Sequence, residues 1–164
     1  MIEQGLQQEI NMVMTEARNR RLEFVTVEHL LLALLNMDEV ISFLRGKRVN
    51  IDELRAELDQ YIDSHTPIIS EDAEIDIVPT VGFQRVLQRS VYQAQSAQKN
   101  SVNAMNVFVS IFSEKESHAV YMLKLNNISR LDVMEGISSQ LADTPREETK
   151  KVEGEKQTKP SSLE

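Results

Sequence analysis

Leu30-Leu31-Leu32-Ala33-Leu34-Leu35, residues 30–35, is an apolar run with no polar side to turn to water. At an offset of 77, Val107-Phe108-Val109-Ser110-Ile111-Phe112, residues 107–112, repeats it with one serine. A helix apolar on most of its faces belongs at the centre of a folded unit. Outward from these runs, residues 6–36 match residues 83–113 at the same offset. Leu6, Ile10, Met14 and Ala17 fall on Phe83, Leu87, Val91 and Ala94. Three- and four-residue spacing of this kind marks an amphipathic helix wrapped against the central one. Beyond residue 36 the offset becomes 79, placing Leu44, Val49, Leu54, Leu58 and Ile62 on Leu123, Ile128, Val133, Ile137 and Leu141. Two residues are inserted in the second copy, near Ser113–Ser117.

The helix-start signals repeat with the core. Thr26 and Asn103 precede the two apolar runs, and both side chains can accept hydrogen bonds from the free N–H groups of a helix start. Asn50 with Glu53, and Ser129 with Asp132, stand three residues apart at the last helix of each copy. The first is close to a capping box and the second is its shorter-armed version. Each copy therefore reads as four helices. The fold class is all-α: a pseudo-twofold tandem repeat of two four-helix units, since one copy of about 60 residues buries too little surface to be very stable. The expected domain is residues 1–142, with repeat one at 1–62, a loop at 63–79 and repeat two at 80–142. Pro67, Pro79 and the acids Asp63, Glu71, Asp72, Glu74 and Asp76 favour a solvated loop there. Residues 143–164 carry too few large apolar side chains to offset the entropy of ordering. They are expected to be a disordered linker or tail, whose final Leu163-Glu164 is compatible with a cloning scar.

Composition narrows the function classes. The chain has 164 residues, 41% hydrophobic and 27% charged, as in a globular domain. A net charge of −8 repels phosphate backbones and anionic membranes, so neither nucleic acid nor membrane is an expected partner. The basic run Arg18-Asn19-Arg20-Arg21 reads as a solvated helix end. There is no cysteine, which excludes disulfide and thiolate chemistry. No signal-peptide pattern and no apolar run of about 20 residues occurs, so the expected location is cytoplasmic.

The doubled unit resembles the N-domain of the Clp-type AAA+ unfoldases. The segments carrying the resemblance are Phe24-Val25-Thr26-Val27-Glu28-His29-Leu30-Leu31-Leu32-Ala33-Leu34-Leu35, Phe83-Gln84-Arg85-Val86-Leu87-Gln88-Arg89 and Ile111-Phe112-Ser113-Glu114-Lys115-Glu116-Ser117. Together they are most similar to the ClpA branch and less so to ClpB and ClpC. Asn103 stands where the family often has Thr, and it caps equally well. The resemblance implies a non-enzymatic docking domain above a hexameric ATPase ring. It would recruit the adaptor ClpS and protein substrates, which the ring unfolds into the protease ClpP. ClpC-type docking to other adaptors or to phosphoarginine is the alternative. No G-x-x-x-x-G-K-[ST] loop is present, so no cofactor is expected in this fragment. ATP and Mg belong to ATPase modules it does not contain. The isolated domain is expected to be a monomer.

Arg85 and Arg89 share a helix face, and the first copy has Gln8 and Met12 in their places. The repeat keeps its core here and changes its surface, as either a one-sided docking face or an ordinary solvated face would. The family's adaptor surface, carried over to this chain, implies Glu23, Glu28, Thr80, Val81, Arg85 and Arg89. Glu28 in a first helical turn also suits the helix dipole without any partner. His29 reads as structural, and His65, in the acidic loop, as at most an adventitious cation ligand. No H-x-x-x-H or H-E-x-x-H pair joins His29, His65 and His118, so neither a metal site nor a catalytic residue is expected. The seven methionines read as core filler or as an adaptable surface. A helix-turn-helix hidden in one repeat, or a small hydrolase, are the competing classes; the charge opposes the first and no nucleophile motif supports the second.

Overall fold

The repeat reappears in the helix boundaries of the computed structural model, which describes residues 1–70 and 77–143. The first copy holds α1 (Gln4–Asn19), α2 (Val27–Leu34), α3 (Asp38–Gly46) and α4 (Ile51–His65). The second holds α5 (Val81–Ser96), α6 (Ala104–Ile111), α7 (His118–Leu125) and α8 (Arg130–Asp143). Shifting α1 and α2 by 77 reproduces the bounds of α5 and α6. The backbone between helices repeats as well. Arg21 and Gln98 both take left-handed φ values, 59° and 58°, and so do Arg48 and Asn127, at 63° and 61°. Each such residue follows a helix end whose last carbonyls are closed by turn hydrogen bonds, for example Leu22 N–H to Ala17 O and Lys99 N–H to Ala94 O. Met1–Val133 form one compact unit, to which the site described below belongs; Met134–Glu164 segregate as a second.

The apolar runs are central. Seven of the eight residues of α2, and seven of the eight of α6, are buried. The two helices pack on each other, with α1 against α2 and α5 against α6. Phe108 meets Phe43 edge-to-face at 5.9 Å, tying the copies together. One stripe differs from its pattern. In α5 the buried residues are Phe83, Val86, Ser90 and Ala94, whereas Leu87 and Val91 are half-exposed. Val86 stands where the first copy has Glu9, so the second copy has an apolar side chain one position earlier, and the buried face rotates toward it.

Helical periodicity predicts no strand, yet two short parallel pairings occur. β1 (Phe24–Val25) pairs with β2 (Val78–Pro79), matching Val25 with Pro79, and an isolated bridge matches Ile2 with Val102. The offset of 77 exchanges these pairs: Ile2 corresponds to Pro79, and Val25 to Val102. Thr80 N–H to Val25 O and Glu3 N–H to Val102 O, both 2.9 Å, are likewise exchanged. The lead-in to each copy's first helix is thus stitched to the other copy, as a twofold axis requires.

The expected loop at 63–79 starts later than its composition suggests. α4 continues to His65, and Thr66 N–H still bonds Ile62 O before Pro67, which has no N–H, ends the helix. Arg20 pairs with Asp63, and Arg21 donates to the carbonyls of Ile69 and Ser70, so the basic run pins the loop's first half. Glu71, Asp72, Glu74 and Asp76, and the expected tail from residue 144, lie outside the described residues. Asp143, expected to open that tail, ends α8. Among the described residues, no helix is long and apolar enough to cross a membrane.

The caps hold, with one reversal. Thr26 with His29, and Asn103 with Asn106, form capping boxes on the central helices. At the last helices the shorter-armed pair closes fully: Ser129 N–H donates to Asp132 Oδ2 at 2.9 Å and Asp132 N–H to Ser129 Oγ at 3.1 Å. Asn50 supplies one half of its box, accepting Glu53 N–H at 3.1 Å.

Candidate docking site

The N-terminus of α5 sits close to α2 because residue 82 is glycine. A Cβ there would lie 3.1 Å from Val27 Cγ2 and 3.2 Å from Glu114 Oε1, so Gly82 clears the space in which Glu114 lies. One turn on, Arg85 grips that carboxylate in a fork, Nε to Oε2 at 3.0 Å and Nη2 to Oε1 at 2.6 Å. Arg89, a further turn along, approaches Oε2 at 3.7 Å. Glu114 is 9% exposed whereas Arg85 is 53% exposed, so the carboxylate lies beneath and the guanidinium above. The bond from Arg85 holds the Glu114 carboxyl below its usual range. The same bond and charge push Arg85 further up.

Glu114 belongs to the six residues between α6 and α7; three residues join α2 to α3. This is where the second copy carries its insertion. Ser117 caps α7 by accepting Val120 N–H at 3.2 Å. Glu28 completes the start of that helix: it is 6% exposed, and its Oε2 accepts Ala119 N–H at 2.9 Å. The carboxylate thereby meets the positive end of α7.

Of the six implied residues, the structure brings Val81, Arg85 and Arg89 onto one face of α5. Val81 is 64% exposed. Thr80 caps that helix, its Oγ1 accepting Phe83 N–H at 3.2 Å. Glu23 is exposed at the mouth of β1, its backbone bonded to Pro67 and Val78. Glu28 is not a surface charge: burial and the bond to Ala119 make it a support beneath the corner. Glu114 was not legible as a partner of Arg85, because nothing in sequence spacing joins residues 29 apart. The only signal was the insertion itself, which breaks the repeat at that point.

Among the described residues, no group of three or more His, Cys, Asp or Glu side chains is placed to hold a metal ion. His65 instead stacks on Tyr61 at 4.1 Å, and Tyr61 stacks on His118 at 3.8 Å.

The described residues form a pseudo-twofold pair of four-helix units with an asymmetric ion-paired corner on α5. The family described as the Clp repeat (R) N-terminal domain matches residues 1–126, and the chain belongs to that family. A ClpA homolog protein from Fuscovulum blasticum is 35% identical over 141 residues, which are 85% of this chain and 18% of that protein. The chain thus spans about a fifth of that relative's length. The fold is also that of the Hsp104 N-terminal domain from Candida albicans, with a TM-score of 0.73, 11% identity, and 87% and 93% of the two chains covered. The N-terminal domain of the chaperone ClpD from Arabidopsis thaliana gives a TM-score of 0.63 at 17% identity, covering 86% and 94%.

Proposed function

We propose that this chain is the N-terminal docking domain of a ClpA-type ATP-dependent unfoldase. It works by binding rather than by catalysis, and its α5 corner receives the adaptor ClpS. Protein substrates reach the ATPase ring, and through it ClpP, by way of this domain. One observation carries the reading. The internal repeat keeps its core and the glycine at 5 and 82, yet replaces Gln8 and Met12 with Arg85 and Arg89 on a largely solvent-facing surface. A scaffold role would be shared by both copies. The 35% identity with a ClpA homolog and the three segments matching the ClpA branch favour ClpA over ClpC.

The contact surface is Val81 as an apolar anchor, Arg85 as an outward cation, Arg89 half-buried behind it with Nη1 turned to Glu114, and Glu23 and Thr80 at the edge. The fork on Glu114 uses Nε and Nη2 of Arg85 and fixes the guanidinium plane, so little side-chain entropy is left to lose when a partner carboxylate docks. Glu28 acts by seating α7 under this surface. The test is calorimetry of the chain with ClpS from the same organism. A saturable one-to-one complex supports the reading. No complex, with binding instead to a ClpC-type adaptor or to phosphoarginine, assigns the domain to the other branch.

A further inference from the structure

A ridge on α7 sets the second repeat apart from the first. Tyr121 and Leu125 stand one helical turn apart on its outer face, 55% and 63% exposed. Leu131, in the first turn of α8, is 63% exposed. At the offset of 79 their counterparts in the first repeat are Ser42, Gly46 and Asp52. The two copies share a core, yet this surface is polar or bare in one and apolar in the other. In the first repeat Arg45, Ile51 and Asp52 line one hollow. The pseudo-twofold therefore brings their counterparts Lys124, Arg130 and Leu131 together in the second, with Lys124 beside Tyr121 and Leu125 on α7. Exposed apolar side chains scattered singly need no explanation, whereas a group of them marks a contact surface.

The charge of the ridge is opposite to that of the chain. α7 carries no acid. Asp132, next to Leu131, is taken by Lys47 at 3.6 Å and by Ser129. Lys124 and Arg130 are exposed and join no ion pair or side-chain hydrogen bond among the described residues. Lys124 corresponds to Arg45, and a cation suits the C-terminal end of a helix in both copies. Arg130 corresponds to Ile51 and opens α8, where a cation opposes the helix dipole, so the fold gives no reason for it. Salt screens charges beyond about 8 Å, so a partner here meets these two cations and not the net charge of −8. Tyr121 is held in place: its ring meets His118 at 5.3 Å, and His118 stacks on Tyr61 at 3.8 Å. A tyrosine fixed in this way has little side-chain freedom to lose on contact.

We propose that this ridge docks an amphipathic acidic helix of a partner protein. Leucine-type side chains of that helix pack on Tyr121, Leu125 and Leu131, and the carboxylates beside them pair with Lys124 and Arg130. The ridge is the outward side of a helix. It suits the face of another helix better than an extended chain, which calls for a sheet edge or an enclosing groove. This surface does not rest on the adaptor reading, and either can fail without the other.

The test uses fluorescein-labelled, end-blocked helical peptides of about five turns. One has a leucine stripe flanked by Glu, one the same stripe flanked by Lys, and one a serine stripe flanked by Glu. Fluorescence anisotropy gives the affinities, and the tyrosine ring NMR signals give the location. The Leu/Glu peptide is expected to bind best and to shift Tyr121. Y121S/L131D, which installs the first-repeat residues, should weaken it at least tenfold. K124E/R130E should also weaken it at least tenfold and should prefer the Leu/Lys peptide; this reversal decides the matter even where Y121S/L131D loses its fold. R18E/K99E, an equal charge change elsewhere, should alter binding less than threefold. No binding to the parent, equal binding of all three peptides, equal loss in the two charge variants, or shifts that leave out Tyr121 would each overturn the proposal. So would binding to phosphatidylglycerol vesicles without binding to the Leu/Glu peptide, which would make the ridge a membrane contact.

Discussion

Two corners of the molecule are built on the same frame and finished differently. In the first repeat, a Cβ at Gly5 would lie 4.0 Å from Met37 Cε, with Gln8 and Met12 along α1. In the second, Gly82 lies against Glu114, with Arg85 and Arg89 along α5. Met37 and Glu114 each lie in the segment that follows the central helix of their copy, so each corner consists of a glycine, two helix-face residues and one loop residue. The first is neutral and adaptable, and the second is ionic and held in one geometry. Duplication supplies the frame twice; the chemistry at each corner is free to diverge because it lies outside the core.

If the frame is shared, its core must respond alike in both halves. Leu31 and Phe108 are equivalent and fully buried. Leu31→Ala should cost about 2–5 kcal/mol and Phe108→Ala about 3–5 kcal/mol. Urea denaturation measures both. A loss under about 0.5 kcal/mol at either site would break the equivalence of the two central helices.

Glu28 sharpens the contrast one layer further out, since its counterpart is the buried Met105. Glu28→Ala leaves the Ala119 N–H unpaired, an expected loss of about 1.5–3 kcal/mol. Glu28→Gln keeps an acceptor and should recover part of it. If both variants melt like the parent, Glu28 is a free surface charge after all.

The capping boxes differ in pH response. Burial, with a smaller contribution from the Arg20 charge, lowers the His29 pKa from 6.5 to about 4. The neutral ring is therefore favoured in the folded chain. Its contribution is fully present above pH 6.5 and is lost as pH falls from there toward 4. Between pH 7 and 5 the loss should be about 2 kcal/mol. His29→Asn converts this box to the type at Asn106 and should flatten stability over that window. Denaturation at both pH values checks it; an unchanged slope would contradict the assignment.

The helices, their offset and most caps were legible because helical periodicity and capping are local, and the duplicate provided an internal check. Three features were not. The two strand pairings are two residues or fewer, too short for any alternation to show, and arise from the exchange between copies. Glu28 looks like an ordinary first-turn acid until α7 is placed with its start against it. Glu114 becomes visible only when the inserted loop folds back onto Gly82. Of the docking surface, Arg85 and Arg89 could be singled out by asymmetry alone, whereas Thr80 and Glu23 rest on family resemblance. Here the structure adds that Thr80 is a cap.

The central claim is that Arg85 faces a partner and does more than hold the loop. Arg85→Glu alone sets two carboxylates together and mixes the two roles. The charge swap R85E/E114R separates them, since it restores an ion pair and reverses the outward charge. Titration of ClpS by calorimetry into the parent, R85E, the swap, and Q8E as the first-repeat control measures the difference most directly. The account predicts that Q8E binds as the parent does. R85E and the swap should both lose at least tenfold in affinity, with the swap melting close to the parent. Parent-like affinity in the swap would contradict it, because Arg85 would then serve the fold and not the partner.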